Sequence, residues 1–125
     1  MTDRRRQSLG RAGESLAARE IERRGYVIVT RNWRCPTGEI DLVAEKDGAL
    51  VFVEVRTRRG DARGTPEESI TPAKRAKLIA TAQSYVQAHG VEDRDWRIDV
   101  AAVELSPRGQ LLRIDIIENA IEERR

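Results

Sequence analysis

A chain of 125 residues with 39% hydrophobic side chains supplies one core; divided in two, each half would fall near the size at which a domain stops holding itself together. The 23 basic and 21 acidic residues leave a net charge of +2, which excludes a polybasic tail or a supercharged binder, so any basic surface must come from segregation of charge. All basic residues except Lys46, Lys74 and Lys77 are Arg, a side chain suited to bidentate contact with phosphate or carboxylate.

The longest apolar run, Ala49 to Val53, is far below the ~20 residues of a membrane span. No hydrophobic stretch of the signal-peptide kind follows Arg4, Arg5 and Arg6, so no membrane partner and a cytoplasmic location are expected. Cys35 and His89 stand alone among their kinds, which is too few ligands for a Cys/His zinc site; any metal must be held by carboxylates. His89, beside Gly90, reads as the end of a helix.

No repeat, low-complexity tract or linker divides the chain. Residues 1–11 read as a flexible basic N-terminal arm and residues 12–125 as a single domain. A helix is expected from about Ala12 to Arg24, stopped at Gly25, where a left-handed residue is easiest for glycine. Tyr26 to Trp33 is β-branched and aromatic, hence a strand. Glu39 to Glu45 and Ala49 to Arg56 flank Asp47-Gly48, the strongest two-residue hairpin signal present, and complete a three-strand meander. Residues 57–70, with Gly60, Gly64 and Pro66 among charges of both signs, read as a mobile connection. Thr71 caps a second helix that has Pro72 in its first turn and runs to about His89. The inward stripe of that helix is Ala76, Ile79, Ala82 and Val86. Arg97 to Leu105 and Leu111 to Ile117 are two more strands about a turn at Pro107 to Gly109. The fold class is α/β, a mixed sheet in the order αβββαββ with helices packed on it.

Strand parity gives the sharpest inference. If Asp47-Gly48 is a two-residue turn, Lys46 pairs with Ala49, which brings Asp41 opposite Glu54 and Glu39 opposite Arg56, each pair on one face. Glu54 then sits on a strand that is apolar on both sides and belongs in the middle of the sheet. Two like charges facing each other at about 5 Å destabilise a sheet, and burial sharpens the repulsion. A proton, a cation such as Arg56 or a divalent metal must compensate, and oxygen ligands in this arrangement suit Mg²⁺ or Mn²⁺. Glu14, whose helical neighbours are Ala17, Ala18 and Ile21, borders the inward face without a basic partner and is a third candidate acid. Glu20 has Arg23 and Arg24 at pairing distance and reads as a solvent-exposed ion pair.

Each feature also has a plain structural reading. Asp41 and Glu54 fit a charge network with Glu39 and Arg56 equally well, Glu14 fits an acid near a helix N-terminus, and Asp99 fits a salt bridge along its strand. Basic residues after Arg56 and around Lys74 fit solvated surface. Five scattered aromatic residues fit packing better than base stacking.

Gly13-Glu14 with Ala17, Gly25-Tyr26, Arg31-Asn32-Trp33-Arg34, Gly38-Glu39-Ile40-Asp41-Leu42-Val43, Val51-Phe52-Val53-Glu54-Val55-Arg56-Thr57-Arg58 and the later Lys74 helix together resemble the YraN family of bacterial proteins, from about Gly10 to Val103. The resemblance implies a restriction-endonuclease-like fold of the PD-(D/E)xK superfamily, similar to archaeal Holliday junction resolvases. It implies that Asp41 matches the metal-binding Asp, Glu54 the acid of the third-strand motif and Glu14 the acid of the first helix. Arg56 stands where that motif usually carries Lys. A buried Lys can lose its proton beside a metal, whereas Arg stays cationic and can only orient water or stabilise negative charge.

The leading expectation is a Mg²⁺- or Mn²⁺-dependent endonuclease that hydrolyses phosphodiester bonds in DNA, branched DNA included. Asp41 and Glu54 would bind metal, Glu14 would be an outer ligand or a water-positioning group, and Arg56 would stabilise charge in the transition state. Arg58, Arg59, Arg63, Lys74, Arg75 and Lys77 would contact the phosphate backbone. The alternatives are a nucleic-acid-binding module on a nuclease scaffold that cuts slowly or not at all, and a protein-interaction domain without nucleic-acid affinity. A homodimer enters as the arrangement often used to cut both strands, although the sequence displays no interface.

Overall fold

The computed structural model describes residues 2–60 and 64–122; Arg63 lies outside them. The elements are α1 (Thr2–Arg23), β1 (Val27–Cys35), β2 (Gly38–Lys46), β3 (Ala49–Arg59), a 3₁₀ turn η1 (Glu67–Ser69), α2 (Pro72–Ala88), β4 (Trp96–Leu105) and β5 (Leu111–Ile121). Five strands form one sheet in the order β1-β2-β3-β4-β5. Only β3 and β4 run parallel, because α2 intervenes as the crossover between them. The mixed α/β sheet and the order αβββαββ are those expected.

Alternation along β3 divides the core. Val51 and Val53 join Ala17, Ala18 and Ile21 of α1, while Leu50 and Phe52 join Ala82, Tyr85 and Val86 of α2, so the helices cover opposite faces. Val51 and Val53 are fully buried and Phe52 is 2% exposed, as a central strand apolar on both sides requires. Trp33, Phe52, Tyr85 and Trp96 pack edge to face. The aromatics are packing residues, as read from the sequence.

The hairpin forms as expected. Asp47 and Gly48 both take positive φ, 50° and 83°, the requirement of a type I′ turn, and Lys46 pairs with Ala49. The Thr71 hydroxyl accepts the Lys74 amide at 3.2 Å, and His89 is the residue that ends α2. Glu20 holds both Arg23 and Arg24 at 2.6 Å.

Three expectations are corrected. First, α1 begins at Thr2 rather than near Ala12; the segment read as an arm holds no proline, and Gly10 costs a helix only about 1 kcal/mol. Second, residues 57–70 are not simply a connection. β3 continues to Arg59, Pro66 and Ile70 are buried, and Glu67–Ser69 form η1. This turn is fastened by Arg113, which bridges Glu67 and Glu104, each at 3.1 Å, and by Thr65, whose hydroxyl donates to Glu68 at 2.8 Å. Third, Ala76 is exposed and Ile79 half-buried, whereas Thr81 and Tyr85 join Ala82 and Val86 as the buried positions of α2. The first turns of α2 border cavities, with Lys77 beside Gly38 at the start of β2.

Candidate metal centre

The β2–β3 ladder runs from Lys46↔Ala49 to Leu42↔Val53 and stops there. One residue further on, the Val55 amide donates to the side chain of Asp41, Oδ2 at 2.8 Å. At the same place β2 loses its alternation: Ile40 packs in the α2-side cluster and Leu42 in the α1-side cluster, although residues two apart in a regular strand share a face. Asp41 therefore lies between the two faces and meets acids from both.

On one side the acids are Glu14 and Glu39. One carboxylate oxygen each from Glu14, Glu39 and Asp41 lie within 4.8 Å of one another. Glu14 reaches this position because α1 presses close to β3: a Cβ on Gly13 would overlap Thr57 Oγ1. Asn32, held at φ 53° within β1, caps the pair. With its NH₂ turned toward the acids, its side chain donates to Glu39 Oε1 at 3.0 Å and to Glu14 Oε1 at 3.3 Å.

On the other side, burial, then the charge of Glu54 and a hydrogen bond with it, push the Asp41 carboxyl up to about 8. Glu14 is pushed up to about 7, by burial first and then by Asp41 and Glu39, with Arg31 opposing. The cluster thus holds protons wherever no stronger cation compensates it. Arg56 is a partial counterion: its Nη1 lies 3.4 Å from Glu54 Oε2 while its Nε donates to Ser69 Oγ at 2.9 Å. All donors are hard carboxylate oxygens, the set that suits Mg²⁺ or Mn²⁺, so the residues present fit a divalent cation.

The structure brings Glu14, Asp41, Glu54 and Arg56 together. Glu39, expected opposite Arg56, pairs with Arg34 at 3.5 Å and joins the acid cluster. Sequence reasoning missed Glu39 and Asn32 as site residues. The available signal was a poor strand former, Asn32, in the middle of a strand, a local rule broken where sites tend to form.

The basic residues separate. Lys74 and Lys77 share a cavity of about 230 Å³ with Glu39, Glu54 and Arg56. Arg75 instead lines cavities bounded by Ile70 and the end of β5. Arg59 donates twice to the Pro107 carbonyl, at 2.8 and 3.1 Å, and Arg58 lies close enough to act on Glu68.

The fold and the acid cluster define an α/β protein with a compatible carboxylate metal site at the frayed end of a hairpin. A model described as "Uncharacterised protein family UPF0102" matches residues 13–103, and the chain belongs to that family. It is 52% identical over 120 residues to a UPF0102 protein of Roseiflexus castenholzii, covering 95% of this chain and 97% of that one. A UPF0102 protein of Dehalococcoides mccartyi is 45% identical over 118 residues, 94% and 96% of the two chains. One from Symbiobacterium thermophilum is 47% identical over 112 residues, 90% and 94%.

Proposed function

We propose that the protein is a cytoplasmic Mg²⁺- or Mn²⁺-dependent phosphodiesterase acting on DNA. The observation that carries this reading is the acid cluster at Asp41, set beside a cavity with Arg56, Lys74 and Lys77 on its walls. Asp41 and Glu39, with Glu14 or Glu54 on either side, would hold the cation; bound there, it would polarise a phosphoryl oxygen and lower the pKa of water. Asn32 keeps the Glu14 and Glu39 carboxylates oriented. Arg56, fixed by Ser69 and Glu54, presents a permanent positive charge where negative charge develops. Arg58 and Lys74 supply phosphate-backbone affinity without reading sequence.

The test is cleavage of linear and branched DNA with Mn²⁺ or a chelator. Metal-dependent cleavage, lost in Asp41→Ala and Glu54→Ala, is expected; intact DNA under every condition, with equal binding in chelator, rejects the enzyme. A second reading, a binding module that cuts slowly, is favoured by one detail. Arg56 Nε and Nη1 are both engaged, by Ser69 and Glu54, and Arg cannot surrender a proton to activate water. Arg56→Lys decides between them: a gain of cleavage identifies an intact but restrained site.

A further inference from the structure

Of the two lysines on the cavity, Lys77 is the better defined. Thr81, 1% exposed, donates its hydroxyl to the Lys77 carbonyl at 2.7 Å, fixing that turn of α2 over the start of β2. There the chain has Gly38. A Cβ at this position would lie 2.9 Å from Thr81 Oγ1, where something would have to shift, and 3.3 Å from Lys77 Cε, a tight contact, so the bare glycine gives the Lys77 stem room against the start of β2. The next residue is Glu39, a member of the acid cluster. Among the described residues neither Lys74 nor Lys77 enters an ion pair, although the cavity they share also has Glu39 and Glu54 in its wall. The first turn of α2 contains no acid to neutralise them.

We propose that Lys77, admitted by Gly38, is a substrate-binding residue that holds a non-bridging oxygen of a DNA phosphodiester inside the carboxylate cavity. The inference rests on the phosphodiesterase reading for its substrate class. Its chemistry is that of a compact point charge: an ammonium with three donors can follow a phosphoryl oxygen, while the planar Arg56 fork stays fixed on Ser69 and Glu54. Gly38 is accordingly a positioning residue.

Because the chain has only three lysines, acylation with a limiting amine-reactive reagent, read by peptide mass spectrometry, reports each one. A short DNA duplex with Mg²⁺ should protect Lys77 and leave Lys46, at the far end of the hairpin, unchanged. Lys77→Met should weaken duplex binding about tenfold, the size of one charge-assisted hydrogen bond. Arg75→Met, which removes equal charge from another cavity, should weaken it less than about twofold. Gly38→Ala should weaken binding in the wild-type chain and add nothing in the Lys77→Met background. Duplex retained with Lys77 still fully reactive overturns this proposal alone, as does a Gly38→Ala effect that persists without Lys77. Failure to retain duplex at all overturns the proposed function with it. If Gly38→Ala does not fold, protection of Lys77 and the Lys77→Met affinity still decide.

Discussion

Asp41 accepts the Val55 amide at 2.8 Å at the point where strand pairing ends, so a side chain replaces the next ladder bond. Its carboxyl is held up to about 8 and that of Glu14 to about 7, in both cases by burial first. Raised carboxyl values mean that the folded chain binds more protons than the unfolded chain above roughly pH 4. Stability therefore falls as pH rises through the window up to about 8, and the full loss is present above it. Asp41→Asn keeps an acceptor for Val55 and removes the buried charge. Its melting temperature at pH 9 should exceed the wild-type value by about 3–6 °C, as ~1 kcal/mol does in a domain this long, with a smaller difference at pH 5. Thermal melts at the two pH values without divalent cation check this.

Proton displacement should accompany cation uptake. At pH 7, below the Asp41 value of about 8, Mn²⁺ must expel a proton to gain that ligand. Calorimetry in buffers of different ionisation enthalpy should show net release at pH 7 and much less at pH 9. Equal heats in all buffers at pH 7 would contradict the assignment of Asp41 as a ligand.

Asp99 is fully buried and accepts from the Tyr26 hydroxyl at 2.7 Å, from Arg97 Nε at 2.9 Å and from the Asn119 amide at 2.9 Å. Replacement by Ala strands three donors and should cost about 3–5 kcal/mol. Tyr26→Phe removes one partner and should cost ~1 kcal/mol. Urea titration measures both, and Mn²⁺ affinity of Tyr26→Phe should remain unchanged.

Gly13→Ala would drive a methyl into Thr57 Oγ1, pushing α1 away from β3 and withdrawing Glu14. A loss of about 1–3 kcal/mol is expected, together with weaker cation binding. Thr57→Ala in the same chain should restore much of both. Cation affinity left unchanged by Gly13→Ala, with the stability loss present, would show that Glu14 takes no part in the site.

The sheet and the hairpin register as far as Leu42 and Val53 were legible because side-chain alternation and Asp47-Gly48 are local signals; the ladder ends before the expected Asp41–Glu54 pair, and Asp41 meets Glu54 from outside it. Glu39 was not. Strand parity set it opposite Arg56, and its place beside Glu14 depends on the break in alternation at Asp41, which a two-residue period cannot contain. The early start of α1 was missed because arginines after a terminus resemble a tail as closely as a helix. The order in residues 65–70 was missed because Arg113 fastens them from a distant strand.

All three register shifts of the sheet fall where an outer strand has residues to spare: Val29 in β1 against β2, and the neighbourhoods of Leu112 and Asn119 in β5 against β4. Asn32 and Asn119, both left-handed, crumple those same margins further. Val27, Val29, Leu111 and Leu112 are exposed there, and on straight borders they would invite a neighbour to zip on strand by strand. Puckered borders deny that template, guarding the chain against runaway edge-on polymerisation at two apolar margins.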